Sequence, residues 1–165
     1  MAGLRLIIGG VVAILVIWIV SSSWYTVDQG DLGVILRTGA VQGVAEPGLN
    51  FKIPLVDEVV VVSVRTEKRT YTDLASYSKD VQAAEITLSV NFHINPAAVA
   101  EVYGRYGTTF VERAIDPVVP ERLKEVFGQY QAAAVVADRV RLGREVEAAI
   151  QQNVPGELIV VESVQ

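Results

Sequence analysis

Few side chains in this sequence are spaced to do covalent chemistry. The single histidine, His93, lies in a run of strict alternation over residues 85–95. Ile86, Leu88, Val90, Phe92 and Ile94 fall on one face, and Glu85, Thr87, Ser89, Asn91, His93 and Asn95 on the other. A general base there would need a carboxylate to orient its imidazole. The same-face neighbours Asn91 and Asn95 supply none, which predicts a solvated or interface histidine. Asp57 and Glu58 are adjacent carboxylates, but adjacent strand residues point to opposite faces and make a poor acid–base dyad. Gly30 and Gly33 stand three residues apart; without a following helix and a third glycine they read as a strand lead-in, not a phosphate cradle. Arg139, Arg141, Arg144, Glu145 and Glu147 form a charged cluster, with Arg141 and Glu145 one helical turn apart. It reads as a solvated helix face or as a charge-complementary subunit contact.

P-loop, G-x-S-x-G, H-E-x-x-H and dinucleotide patterns are absent from the sequence. With no cysteine and one histidine, disulfides, thiolate chemistry, cysteine-based metal sites and histidine pairs are excluded. No nucleophile, base and oxyanion site come together. The expectation is a module that binds or assembles and is not an enzyme, with no cofactor, no metal and no small-molecule substrate.

The elements that would carry such a module change character along the chain. Residues 32–37 read as a strand framed by Gly30 and Gly39, and residues 49–53 as another, after the turn Glu46-Pro47-Gly48. Residues 59–64 are largely β-branched, and 65–71 either continue that strand or return as a hairpin arm. The alternating run at 85–95 is the clearest strand. Helices follow: 96–103, ending before Gly104; 108–130, with Asp116-Pro117 as an N-cap and first-turn proline that would split or kink it; and 138–154, with Asp138 as N-cap. Val140, Val146, Ile150 and Val154 are the expected buried stripe of the last. Residues 158–164 form a final strand. Strands, then helices, then one strand predict an α+β fold with an antiparallel sheet.

The chain has 165 residues, about one domain, and a net charge of −5, which argues against a nucleic-acid partner. Its charges are unevenly distributed. Residues 1–27 contain one, Arg5, and residues 6–27 contain none. As a helix this stretch would reach about 33 Å, enough for a hydrocarbon core. Trp18, Trp24 and Tyr25 sit at its distal end, where aromatic belts form. We read residues 4–27 as a single transmembrane anchor and 28–165 as the domain it carries. A cleaved signal peptide ending at Ser21–Ser23 and a buried soluble helix are the alternatives. Arg5 before the span, against Asp28 and Asp31 after it, favours an N-terminus inside and a domain outside.

Four stretches together resemble the stomatin/prohibitin/flotillin superfamily (SPFH or Band 7), most closely the prohibitins. They are Val27-Asp28-Gln29-Gly30 with residues 33–39; Glu46-Pro47-Gly48-Leu49-Asn50-Phe51-Lys52-Ile53-Pro54; Ser78-Lys79-Asp80-Val81-Gln82 leading into residues 86–92; and Glu112-Arg113 with Pro117 and Leu123-Lys124-Glu125-Val126. The resemblance implies a scaffold that multimerises with itself into large rings or cages on a membrane. It also implies organised microdomains and association with a membrane-bound AAA protease. It carries over no catalytic residue. It places the 47–54 turn against the membrane surface, so Leu49, Phe51 and Ile53 are candidate lipid contacts, with core packing as the alternative. It implies a bacterial or mitochondrial inner membrane. It further implies a coiled-coil helix after the last strand, absent before Gln165, and the chain therefore reads as a fragment. An accessory subunit of another integral membrane complex is the second functional reading.

Overall fold

The computed structural model describes residues 2–165, with the side chains of 2–8 and of 136 outside the description. The chain divides into two compact units, one ending at Ser63 and one spanning Val64–Gln165.

The first unit opens with helix α1 (Ala2–Ser21). The expected helical anchor over 4–27 is corrected at its distal end, because three serines stop the helix. The Ser21 hydroxyl donates to the Trp18 carbonyl at 3.1 Å, and those of Ser22 and Ser23 to the Ile19 carbonyl at 3.0 and 2.7 Å. The Trp18 carbonyl also keeps its helical bond from the Ser22 amide at 3.0 Å, whereas the Ser23 amide turns to Val20 and leaves the Ile19 carbonyl to the two hydroxyls. The side chains of Arg5 and of 6–8 lie outside the described residues. Among the described residues no helix is long and apolar enough to cross a membrane.

Strand β1 (Trp24–Val27) follows the serines and pairs antiparallel with β4 (Gly48–Phe51) as a two-stranded ribbon. Strands β2 (Asp31–Arg37), β3 (Ala40–Ala45) and β5 (Asp57–Ser63) form an antiparallel sheet in the order β3-β2-β5. Neither β1 nor β3 is expected from the sequence. The first continues an apolar run that reads as helix, and Gly43 interrupts the second. Gly30 takes φ 88° in the turn into β2, so Asp28–Gly33 is the strand lead-in expected. Gly33 permits a close approach: a Cβ there would lie 3.1 Å from Val59 Cγ1 and 3.2 Å from Val27 Cγ2. Val27, Val34, Leu36 and Ala45 are buried in this unit.

In the second unit, β6 (Glu67–Tyr77), β7 (Ala83–Ile94) and β8 (Ile159–Val164) form an antiparallel sheet in the order β6-β7-β8. The alternation at 85–95 holds: Leu88, Val90, Phe92 and Ile94 are buried. Their face packs with α2 (Val99–Tyr106), α3 (Val118–Phe127) and α5 (Arg139–Asn153), which bury Val102, Val119, Leu123, Phe127, Val146 and Ile150. A short helix, α4 (Ala132–Ala137), precedes α5. The architecture is α+β with antiparallel sheets, as the sequence predicts.

Four local expectations are corrected. The helix after Pro96 runs through Gly104 and stops at Gly107, where φ is 68°. Asp116 does not cap α3; its carboxylate accepts from the Tyr71 hydroxyl at 2.6 Å and from Arg69 at 3.0 Å, and Pro117 itself holds the cap position after a π-turn at Val111–Ile115. Asp138 occupies the α5 cap position but makes no capping bond. Val140 is 69% exposed, while Leu142 joins Val146 and Ile150 in the buried stripe.

Candidate functional site

The first unit carries an apolar edge at its surface. In the β1–β4 ribbon Trp24 stands opposite Phe51 and Thr26 opposite Leu49. Alternation places Tyr25 and Asn50 on the other face. Trp24 and Phe51 meet edge to face, with ring centroids 5.6 Å apart at 75°. Both remain more than half exposed, as does Leu49, and Ile53 is 44% exposed. Core packing of Leu49, Phe51 and Ile53 is thus not what the structure shows; all three face outward. The Lys52 amide donates to the Ser23 carbonyl at 2.8 Å, which ties the ribbon to the end of α1. On that helix the exposed side chains from Val11 to Val20 are all uncharged.

Beyond the ribbon the chain turns at residues 53–57. Leu55 occupies the tip, 89% exposed and in the left-handed region at φ 67°. One carboxylate holds this turn. Asp57 accepts from the Ile53 amide at 3.0 Å and from Arg37 Nε and Nη2 at 2.7 and 3.1 Å. The Arg37 hydrogen bond, with the Ile53 amide second, lowers its pKa below the ordinary aspartate value. A fork of this kind fixes geometry as well as charge. On the ribbon's second face the Lys52 ammonium lies 5.9 Å from the Tyr25 ring centroid. Burial, then the nearby Asp57 charge, raises the Tyr25 pKa.

Leu55 and Val56 are missing from the sequence reading, which ended the segment at Pro54. A signal was available: turns favour polar residues, so two apolar residues after a proline mark a turn kept apolar for a reason other than turning.

The charged cluster on α5 splits between two stripes. Arg141 donates to Glu145 at 3.0 Å on one side of the helix. Arg139, Arg144 and Glu147 stand on the other, beside the first half of β7. The five residues therefore do not share one face. Ser78 and Asp80 hold the β6–β7 turn. The Ser78 hydroxyl donates to Asp80 at 2.6 Å, and the Ala132 amide donates to the same carboxylate at 3.0 Å, fastening the start of α4.

His93 has a partner that same-strand spacing does not reveal. Glu162, on β8, brings Oε1 to 2.8 Å from His93 Nδ1. Thr66 donates to that same carboxylate oxygen at 2.9 Å. The threonine hydroxyl is thereby directed at the carboxylate rather than at the imidazole. Among the described residues no group of three or more His, Asp or Glu side chains is placed to hold a metal ion.

Residues 25–165 match the model of the SPFH domain / Band 7 family. Prohibitin-7, mitochondrial, of Arabidopsis thaliana is 29% identical over 147 residues, covering 87% of this chain and 52% of that protein. Prohibitin 1 of Drosophila melanogaster is 29% identical over 130 residues, 78% of this chain and 47% of its own length. The mitochondrial prohibitin complex protein 1 of Caenorhabditis elegans is 27% identical over 137 residues, 82% of this chain and 50% of that protein. The chain thus spans about half the length of the relatives it matches.

Proposed function

The chain belongs to the SPFH domain / Band 7 family, and from that premise we propose that it is a membrane-anchored, prohibitin-like scaffold. In this reading it multimerises into a large ring or cage, organises membrane microdomains and regulates membrane-protein quality control by an AAA protease. It acts through assembly and carries no catalytic step.

The observation that carries the reading is the set of exposed apolar side chains on α1, on the ribbon and in the 53–57 turn of the first unit. A helix without a charge after Arg5, with exposed Val, Ile and Leu side chains, calls for an apolar surround. The ribbon joins its end through a backbone bond from Lys52 to Ser23, at the end of the ribbon where Trp24 meets Phe51. The described part of α1 is too short to cross by itself. With residues 2–8, whose side chains lie outside that description and which in sequence carry one charge, Arg5, we assign the N-terminal run to a single membrane span, with the N-terminus on the cytoplasmic or matrix side of an inner membrane. The apolar edge dips into the facing leaflet, with Trp24 at headgroup depth. Two relatives carry the word mitochondrial in their names, and one of them is named as part of a prohibitin complex, which supports the assembly.

Particle size tests this. The protein, extracted from native membranes in mild detergent, is run on native electrophoresis and imaged by negative stain. Closed particles in the megadalton range built mainly of this chain are expected. A species of a few tens of kilodaltons refutes the scaffold, and a large particle dominated by other subunits makes the chain an accessory subunit instead.

A further inference from the structure

The two-stranded ribbon of the first unit has two open strand edges. The Lys52 amide donates to the Ser23 carbonyl at 2.8 Å, which makes Ser23 and Lys52 a hydrogen-bonded pair. Such pairs alternate along an antiparallel ladder, so Tyr25 bonds across the ribbon to Asn50, and Val27 to Gly48. The N–H and C=O groups of Trp24 and Thr26 therefore point away from β4, and those of Leu49 and Phe51 away from β1. Among the described residues no strand lies beyond either edge, and these outward groups have no hydrogen-bond partner.

Exposed strand edges are normally blunted by a charge, a proline or a bulge. These strands have none of the three: neither contains a charged residue or a proline, and their register is unbroken. They also carry Trp24, Leu49 and Phe51 on one face, each more than half exposed. Lipid cannot hydrogen-bond to a backbone, so a strand enters an apolar phase only with both of its sides paired. The ribbon thus combines an apolar face that suits a membrane with two edges that do not.

We propose that a second copy of this chain fills each edge, with β4 of one copy pairing antiparallel with β1 of the next. The inference rests on the membrane-scaffold reading and names the contact that joins its subunits. Strands β1 and β4 run in opposite directions, so copies set side by side alternate β1-β4-β1-β4 and every neighbouring pair is antiparallel. One head-to-tail contact satisfies both edges, and a repeated contact of this kind closes into a ring. Twofold pairing through β4 alone would leave the β1 edge open. At equal depth, Phe51 stands opposite the neighbouring copy's Trp24, and Leu49 opposite its Thr26. The outward backbone groups then meet each other. The edge-to-face contact of Trp24 and Phe51 within one ribbon becomes part of an unbroken apolar row.

The chain has no cysteine, so introduced thiols report without background. The full chain is co-expressed as Thr26→Cys and as Leu49→Cys, with different tags, and oxidised in native membranes with copper phenanthroline. Residues of a hydrogen-bonded antiparallel pair lie about 5.5 Å apart at Cα, within disulfide reach. A disulfide dimer carrying both tags is expected at a yield at least about fivefold above that of either variant expressed alone. Trp24→Cys co-expressed with Phe51→Cys reads the adjacent rung and is expected to behave in the same way. Native particle size is measured alongside on the unsubstituted chain. Large unsubstituted particles with no mixed-tag dimer from either pair overturn this contact and leave the scaffold reading standing. Equal dimer from one variant expressed alone also overturns it, in favour of a twofold contact. Unsubstituted particles of a few tens of kilodaltons overturn both the contact and the scaffold.

Discussion

If the apolar edge enters a bilayer, Leu49 and Leu55 supply much of the drive, and removing them has a calculable effect. They are 69% and 89% exposed in the protein, together about one and a half leucine side chains. Full burial of a leucine is worth about 1.5–3 kcal/mol, so the pair contributes about 2–5 kcal/mol to holding the edge in lipid. Serine at both positions therefore shifts the balance between inserted and withdrawn edge by roughly 30-fold to several thousandfold. The chain has two tryptophans, so Trp18→Phe leaves Trp24 as the sole emitter. Phe51 is retained, which preserves the edge-to-face contact on the probe. In vesicles, Trp24 of the single-tryptophan protein is expected to emit at short wavelength, to be quenched by lipids brominated near the headgroup and to be shielded from iodide. With Leu49→Ser and Leu55→Ser added, bromolipid quenching falls and iodide quenching rises. Equal quenching in the two proteins, or iodide access in the parent matching that of free tryptophan, refutes the reasoning.

Two further outcomes follow from the first unit. Gly33→Ala places a methyl 3.1–3.2 Å from the side chains of Val59 and Val27 and is expected to cost about 1–3 kcal/mol, seen as a lower denaturant midpoint, whereas Gly43→Ala meets nothing within 4 Å and leaves the midpoint nearly unchanged. Equal shifts for the two would remove Gly33 from its role as a spacer. The Asp57 latch carries a pH dependence. Its pKa is lowered in the folded protein, so its contribution is fully present above the ordinary aspartate range of roughly 4 and disappears as pH falls through the folded value. Exchange of the Ile53 amide, corrected for intrinsic rate, is expected to accelerate below that range in the parent and to be fast and flat in Asp57→Ala; a parent amide indifferent to acid would show that the carboxylate does not hold the turn.

How much of this was legible differs from residue to residue. The strand at 85–95 was readable because its alternation is set by the chain's own period of two, and the buried set from Leu88 to Ile94 followed directly. The outward set of Leu49, Phe51 and Ile53 obeys the same rule, but which face meets the core depends on what lies behind the ribbon. Val140 shows the limit for helices: Val140 and Leu142 are both apolar, and only the packing of α5 on α3 and β8 selects Leu142 for burial. Asp116 and Asp138 both sit where a capping residue belongs. One was drawn off by Arg69 and Tyr71, and the other makes no capping bond.

The sequence by itself determined the quantities that travel along the chain: an uncharged run over residues 6–27, the α+β order of elements and the four stretches that mark the SPFH domain. These depend on local propensity, periodicity and composition, which need no neighbour to be read. The tertiary structure alone decided what depends on partners distant in sequence. Glu162 meets His93 across 69 residues and Asp57 meets Arg37 across 20. Such contacts are set by strand register and by the turn of one backbone against another, and neither is written in the spacing of a single segment.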